Sequence, residues 1–382
     1  MSTGVHAQPR VPSLFPPETR WTLSLNSPLA APPRFDESLA YFPLAGDRLV
    51  AYDLTFGTQL WIVGIATKSR PAVGDSLVFV DAGSRIVAFR QQDGAEAWGL
   101  PLTEPLAAPL TWDNGWLVAV TETGRVRAYR ATDGGLIWER SLDAATSAPP
   151  ALAADRVYLS LENQRVVALH VSTGDVVWER PLGGIPQEIL ALDDRLYVGV
   201  AGKIFYCIDT GSGRIDWRWP LGGDIAGVPA LDESRIFIAA RDNVLRAMDR
   251  RSGVLRWDQA MPLRPVSGPL PVGNMLLVAG IGPVVRAYSM EDGDPENEIK
   301  AEADLLAPPH VIEDPMRPTL ILVTGSAGAG AEVRAIARRI EPAPVPIAPL
   351  PDPVLIEVPA DPTTSDPPTV NAPSDPQRPQ RP

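Results

Sequence analysis

The chain has 382 residues, with 42 Pro, 31 Gly and 10 Trp but one Cys and three His, and a formal net charge of −12. Hydrophobic residues make up 45 %, enough for a sizeable core, so a wholly disordered chain is excluded. The lone cysteine, Cys207, excludes a disulfide framework, a cysteine-based zinc or iron–sulfur site and a c-type haem attachment. The acidic balance makes nucleic acid and anionic lipid poor partners for the surface as a whole. No run of roughly 18 apolar residues is present, so no membrane-spanning helix is expected.

Residues 1–19 read as an N-terminal extension. Within them Val5-His6-Ala7-Gln8 has the small residues that end a secretory signal, yet no apolar segment precedes it. Either that segment is missing from the start or the match is chance.

From Trp21 onward the chain repeats itself. Six turn glycines are each followed four residues later by Trp: Gly57 and Trp61, Gly94 and Trp98, Gly134 and Trp138, Gly174 and Trp178, Gly213 and Trp217, Gly253 and Trp257. A seventh, Gly293, has Asn297 in that place. Successive glycines lie 37, 40, 40, 39, 40 and 40 residues apart, a register that chance does not produce. Trp21 is in phase, 40 residues before Trp61, without a Gly turn of its own.

A strand-like stretch precedes each Gly, from Leu49–Tyr52 to Val285–Tyr288, and an eighth copy stands at Val333–Ile336. Each carries a small residue: Ala51, Ala88, Ala128, Ala168, Cys207, Ala247, Ala287 and Ala335. Small side chains flanked by larger ones suit close packing against a neighbouring sheet, so Cys207 is expected to be a structural thiol.

Each unit reads as four short strands. In the third they are Ala108–Asp113, Trp116–Thr121, Val126–Arg130 and Leu136–Leu142, with hairpin dipeptides at Asn114-Gly115 and Asp133-Gly134. Four antiparallel strands recurring about every 40 residues make a β-propeller blade. The Gly supplies φ > 0 at the turn before the outer strand, and the Trp on that strand can pack between blades. Third strands count to eight, while the eighth blade lacks an outer strand. Arg20–Leu25 is expected to supply it. The expectation is an all-β, eight-bladed, monomeric β-propeller over residues 20–340, closed by the N-terminal strand.

Three motifs invite a functional reading. Trp112 and Trp116 flank one tight turn; they are either packed under the adjacent connection or exposed as an aromatic anchor for a protein partner on the Gly-turn face. Acid pairs such as Asp193-Asp194 and Asp232-Glu233 recur at the first hairpin, with Asp113 and Asp155, where turn-forming hydrogen bonds explain them better than acid–base or Ca²⁺ chemistry. Arg156, Arg195 and Arg235 follow them and are expected to pair with them, and His170 is expected to be a turn residue. Leu320–Ile340 looks like a strand, Gly-rich loop and helix of a nucleotide site, but its glycines do not match the fingerprint, and the repeat phase makes it the second and third strands of the eighth blade. The final 42 residues, 341–382, hold 14 Pro, six carboxylates and two Arg, and read as an extended, disordered tail. Val354–Val358 is an apolar patch in it, by chance or as a short strand-adding motif.

The pattern of strand, Ser/Thr/Asp-Gly, and Trp four residues after the Gly, clearest at Val166–Trp178 and Ile204–Trp217, resembles the PQQ-like (quinoprotein-type) β-propeller repeat. The resemblance implies one of two roles. PQQ-dependent dehydrogenases are usually much longer, and many cover the cofactor with a disulfide of adjacent cysteines that a single Cys cannot form. The chain is more similar to the cofactor-free, eight-bladed BamB-like envelope scaffolds, although it shows no lipobox Cys. That resemblance implies a non-enzymatic, protein-binding scaffold without cofactor or metal, located in a bacterial cell envelope or periplasm. The alternatives are a quinoprotein-type oxidoreductase, or a subunit of one, and a cytoplasmic propeller module.

Overall fold

The computed structural model describes residues 14–314, 317–325 and 330–340. All regular elements among them are β-strands, arranged as eight four-stranded antiparallel sheets, and no helix is long and apolar enough to cross a membrane. The chain divides into a unit of residues 1–339 and a second of residues 340–382. The proposed tail, with Val354–Val358, and the Val5–Gln8 segment lie outside the described residues.

Blade three shows how the sequence builds the unit. Asn114 and Gly115 both have positive φ, 44° and 83°, as a two-residue hairpin requires. They join Thr111–Asp113 to Trp116–Val120, with Asp113 opposite Trp116. The inner strand is shorter than the expected Ala108–Asp113 because Pro109 has no N–H for the ladder. The third strand is Arg125–Arg130. The Gly134 N–H then donates to the Arg130 carbonyl at 2.8 Å, and Leu136–Ser141 returns as the outer strand.

The small-residue column and the tryptophans are register partners. Ala51 lies opposite Trp61, Ala88 opposite Trp98, Ala128 opposite Trp138, Ala168 opposite Trp178, Cys207 opposite Trp217 and Ala247 opposite Trp257. Each of these pairs is followed by a register shift, and all six small residues are fully buried. A methyl or thiol opposite leaves room for an indole, which then reaches into the next blade.

There each indole lies against the next turn glycine. Ideal Cβ atoms placed on Gly94, Gly134, Gly174, Gly213, Gly253 and Gly293 would come within 2.6–2.9 Å of the ring of Trp61, Trp98, Trp138, Trp178, Trp217 and Trp257 respectively. Each indole N–H also donates to a carbonyl of the next blade, as from Trp61 to Gln91 at 2.7 Å and from Trp178 to Thr210 at 2.8 Å. Trp21 closes the circle on Gly57, without the corresponding hydrogen bond.

Blade eight consists of His310–Ile312, Thr319–Thr324, Glu332–Arg338 and, from the other end of the chain, Pro17–Ser24. Trp21 sits opposite Ala335, so the expected closure is observed, three residues earlier than Arg20. Glu332–Arg338 is a strand, which removes the helix that a nucleotide site at Leu320–Ile340 requires.

The fold also draws on residues ahead of position 20. Blade seven has Asn297 opposite Ala287, so its junction with blade eight has no indole. Leu14 is fully buried in the apolar cluster of these two blades, beside Ala287 and Ile336, with Phe15 packed against it. The segment entering the closing strand supplies apolar volume at the junction where the repeat supplies none.

Two outcomes test this architecture. Deleting residues 1–25 removes the closing strand, Trp21 and Leu14, and bares the edge of Glu332–Arg338; loss of cooperative melting and aggregation on size exclusion are expected. Gly174→Ala forces a methyl against Trp138 at φ 73° and is expected to cost about 2–4 kcal/mol in chemical denaturation.

Candidate functional site

The inner strands surround a central channel. Pro33, Pro71, Pro150, Pro229, Pro269 and Pro309 each stand immediately before an inner-strand residue paired with its blade's second strand. An inner strand has no neighbour on its channel side, so a missing N–H there costs no ladder bond. Inner strands run toward the Gly-turn face, so the residues that precede them line the opposite mouth, on the side of the blade-to-blade connections.

That mouth contains charge. Arg34, Arg70 and Glu188 line a cavity of about 460 Å³, and Arg70 faces Glu188 at 3.9 Å. The Arg34 Nε is buried without a hydrogen-bond partner. Burial, then the charge of Arg70, holds the Arg34 pKa below its usual value, against the opposing pull of Asp36. His310, on the inner strand of blade eight, stacks on Phe35 with ring centres 4.7 Å apart, and its Nε2 lies 2.8 Å from the Glu37 carbonyl. Burial lowers its pKa, which favours neutral imidazole donating to that carbonyl.

The structure does not bring Trp112 and Trp116 together. Trp112 lies opposite Leu117, and Trp116 opposite Asp113, so the two side chains leave blade three on opposite faces. Trp112 covers Gly74 of blade two, and its indole N–H donates to Asp75 at 3.2 Å. Trp116 packs against the cluster shared by blades three and four. The Gly–Trp pairs are all spent on blade junctions.

The first-hairpin acids serve their own turns in different ways, and only Asp232 among them takes backbone N–H groups in the described residues. Asp232 accepts the Ser234 N–H at 2.9 Å and the Arg235 N–H at 2.6 Å, and pairs with Arg235 at 2.7 Å. Arg156 pairs with Asp155, and Arg195 lies 3.9 Å from Asp194 but 3.1 Å from Asp216 of the outer strand. His170 accepts or donates at Ser172 Oγ, 2.9 Å from its Nδ1, in the place where Asp209 and Asp249 accept turn N–H groups.

Sequence reasoning passed over a second surface. A groove of about 690 Å³ on the Gly-turn face runs between blades one and two, lined in part by Leu39, Leu60, Leu77, Asp75 and Arg90. Leu60 is exposed there, and Phe56, in the turn leading to it, is 72 % exposed. The signal was in the repeat: Phe56 precedes Gly57 where the other turns have Asp93, Asp133, Thr173, Ser212, Ser252 and Asp292.

The geometry defines a PQQ-like β-propeller. The family described as outer membrane protein assembly factor BamB matches residues 17–107, 82–191 and 180–303, and the chain belongs to that family. A comparison with curated proteins found no match. Among solved structures the fold is similar to BamB from Moraxella catarrhalis, at 17 % identity and TM-score 0.65 over 83 % of this chain and 99 % of that one. It is equally similar to quinohemoprotein alcohol dehydrogenase ADHIIG from Pseudomonas putida, at 15 % identity and TM-score 0.65, over 89 % of this chain and 80 % of that one. A europium-containing methanol dehydrogenase gives 12 % identity and TM-score 0.66 over 84 % of this chain and 93 % of that one. The fold alone therefore does not separate scaffold from oxidoreductase.

The residues of the channel can be tested against the cofactor those dehydrogenases suggest. A quinone held beside Ca²⁺ needs a group of carboxylates, and among the described residues no three His, Cys, Asp or Glu side chains cluster. The channel cavity's one carboxylate, Glu188, already faces Arg70. Cys207 is fully buried at its junction with Trp217. These residues do not fit such a group. Burial pushes the Cys207 thiol up to about 12, so it is expected to resist alkylation by iodoacetamide in the native protein and to react fully after unfolding; mass spectrometry reads both.

Proposed function

We propose that the protein is a non-enzymatic scaffold that binds protein partners and serves outer-membrane or envelope protein assembly in a bacterial cell envelope. Membership of the BamB family over residues 17–303 carries this reading. Two features support it. Turn carboxylates such as Asp93, Asp133, Asp209, Asp232 and Asp249 are engaged in holding their turns, and the channel's donor set does not suit a metal-bound quinone. The Gly-turn face, by contrast, offers a groove with Leu39, Leu60 and Leu77 in its lining, and in the turn before Leu60 an exposed Phe56, an aromatic of the type that anchors protein interfaces.

The partner surface we assign is the groove of blades one and two, with Phe56 and Leu60 as its anchors. Of the two tryptophans beside the first hairpin of blade three, Trp112 reaches this surface through its hydrogen bond to Asp75, a groove residue, while Trp116 faces blade four.

The experiment is capture of partners from the host's envelope fraction on the full chain and on a Phe56→Ser/Leu60→Ser variant. Loss of the captured protein at unchanged melting temperature is the expected result. Dye reduction with an alcohol after addition of PQQ and Ca²⁺ would overturn the reading in favour of a quinoprotein oxidoreductase. Recovery of the native protein in the cytosolic fraction would remove the envelope assignment.

A further inference from the structure

We propose that the connection-side mouth of the central channel is a carboxylate-binding site built from Arg34 and Arg70. Arg34 opens the inner strand of blade one, and Arg70 stands just before the inner strand of blade two. Both line the cavity of about 460 Å³ that they share with Glu188 of blade five.

The two guanidinium groups are short of partners. Arg34 has a buried Nε that donates to nothing. The nearby carboxylate of Asp36 is itself engaged, accepting from Gln91 Nε2 at 2.9 Å. Arg70 has Glu188 at 3.9 Å, beyond the roughly 2.7–2.9 Å of a charge-assisted hydrogen bond. Both of those side chains remain 41 % exposed.

Two cations in one cavity repel each other, and a buried donor without an acceptor is costly. A carboxylate entering between them relieves both conditions at once. Guanidinium groups present planar, forked donors that suit such a group, and partial enclosure strengthens the attraction relative to bulk water. Glu188 marks the chemistry from within the molecule. It reaches from a blade three places away and holds a carboxylate loosely beside Arg70, where an incoming one can displace it. Pro71, Pro149 and Pro150 of the lining have no N–H and the Thr111 hydroxyl is engaged with the Pro150 carbonyl, so the two arginines are the charged donors of the cavity.

The carboxylate can belong to a small free polycarboxylate or to an acidic segment of a protein, since both present the same group to the two arginines. The site does not depend on the scaffold reading or on the groove of blades one and two.

Titration calorimetry of the full chain with citrate, and separately with end-capped hexaglutamate, tests the proposal. Saturable binding that weakens with added salt is expected for at least one probe. Glu188→Gln is expected to tighten it about three- to tenfold by removing the internal competitor, while Arg70→Gln and Arg34→Gln each weaken it about tenfold or more. Citrate bound more tightly than the peptide assigns a free ligand; the reverse assigns an acidic protein segment. Arg70 is half-exposed, so Arg70→Gln is expected to keep the parent melting temperature and carries the test even if Arg34→Gln does not fold. Absence of saturable binding by both probes to the parent and to Glu188→Gln, or binding indifferent to Arg70→Gln, would overturn the site.

Discussion

The contact on which this structure depends is an indole ring laid flat on the turn glycine of the next blade. Two demands meet at that glycine. The turn before the outer strand needs positive φ, and the ring needs the space a Cβ would fill. Either demand alone would tolerate an occasional Asn or Ala. Together they leave one residue type at the turn. A third demand falls on the third strand, where a small residue opposite the Trp lets the ring lie over the sheet. One interaction thus sets three columns of the repeat, and the indole hydrogen bond to a neighbouring carbonyl satisfies the polar atom that burial would otherwise strand.

A ring built from directional contacts has to end somewhere, and here the two ends differ. At the junction of blades eight and one the interlock is kept, because the closing strand brings Trp21 onto Gly57. At the junction of blades seven and eight it is lost, since blade eight has no turn between its third and outer strands to carry a glycine. An indole from blade seven would have nothing to lie on. Asn297 and Leu14 are the two sides of that adjustment: the aromatic disappears from the outer strand, and an aliphatic side chain arrives from the segment ahead of the closing strand. The N-terminal strand therefore completes one blade by hydrogen bonding and two junctions by packing.

The repeat was legible because its columns are covalently local: Gly and Trp are four residues apart, and the small residue precedes them on the adjoining strand. What depended on alternation or on ring curvature was harder to read. Trp112 and Trp116 look like a pair in the sequence because they flank one turn, yet a two-residue hairpin places them on opposite faces of the sheet. Phe56 was visible as the odd residue in a polar turn column, but its exposure could not be read from the column alone. Arg34 and Arg70 occupy different positions in their repeats, and Glu188 comes from three blades further on. Only the diameter of the closed ring brings the three together, so no spacing in the chain announces them.

This separation explains how one fold serves an assembly factor and alcohol dehydrogenases at nearly the same structural distance. The interlock uses the outer and third strands and the turns between them. The channel uses residues at and just before the inner strands, where a side chain has few neighbours in its own sheet. Substitutions along the axis can thus change which groups face the channel without disturbing any glycine, indole or small residue of the frame. In this chain the axis carries two underused cations and one loosely held carboxylate rather than a cluster of metal-binding oxygens. The chemistry of the channel is accordingly that of recognising an anion, and it rests on two arginines with Glu188 as their internal competitor.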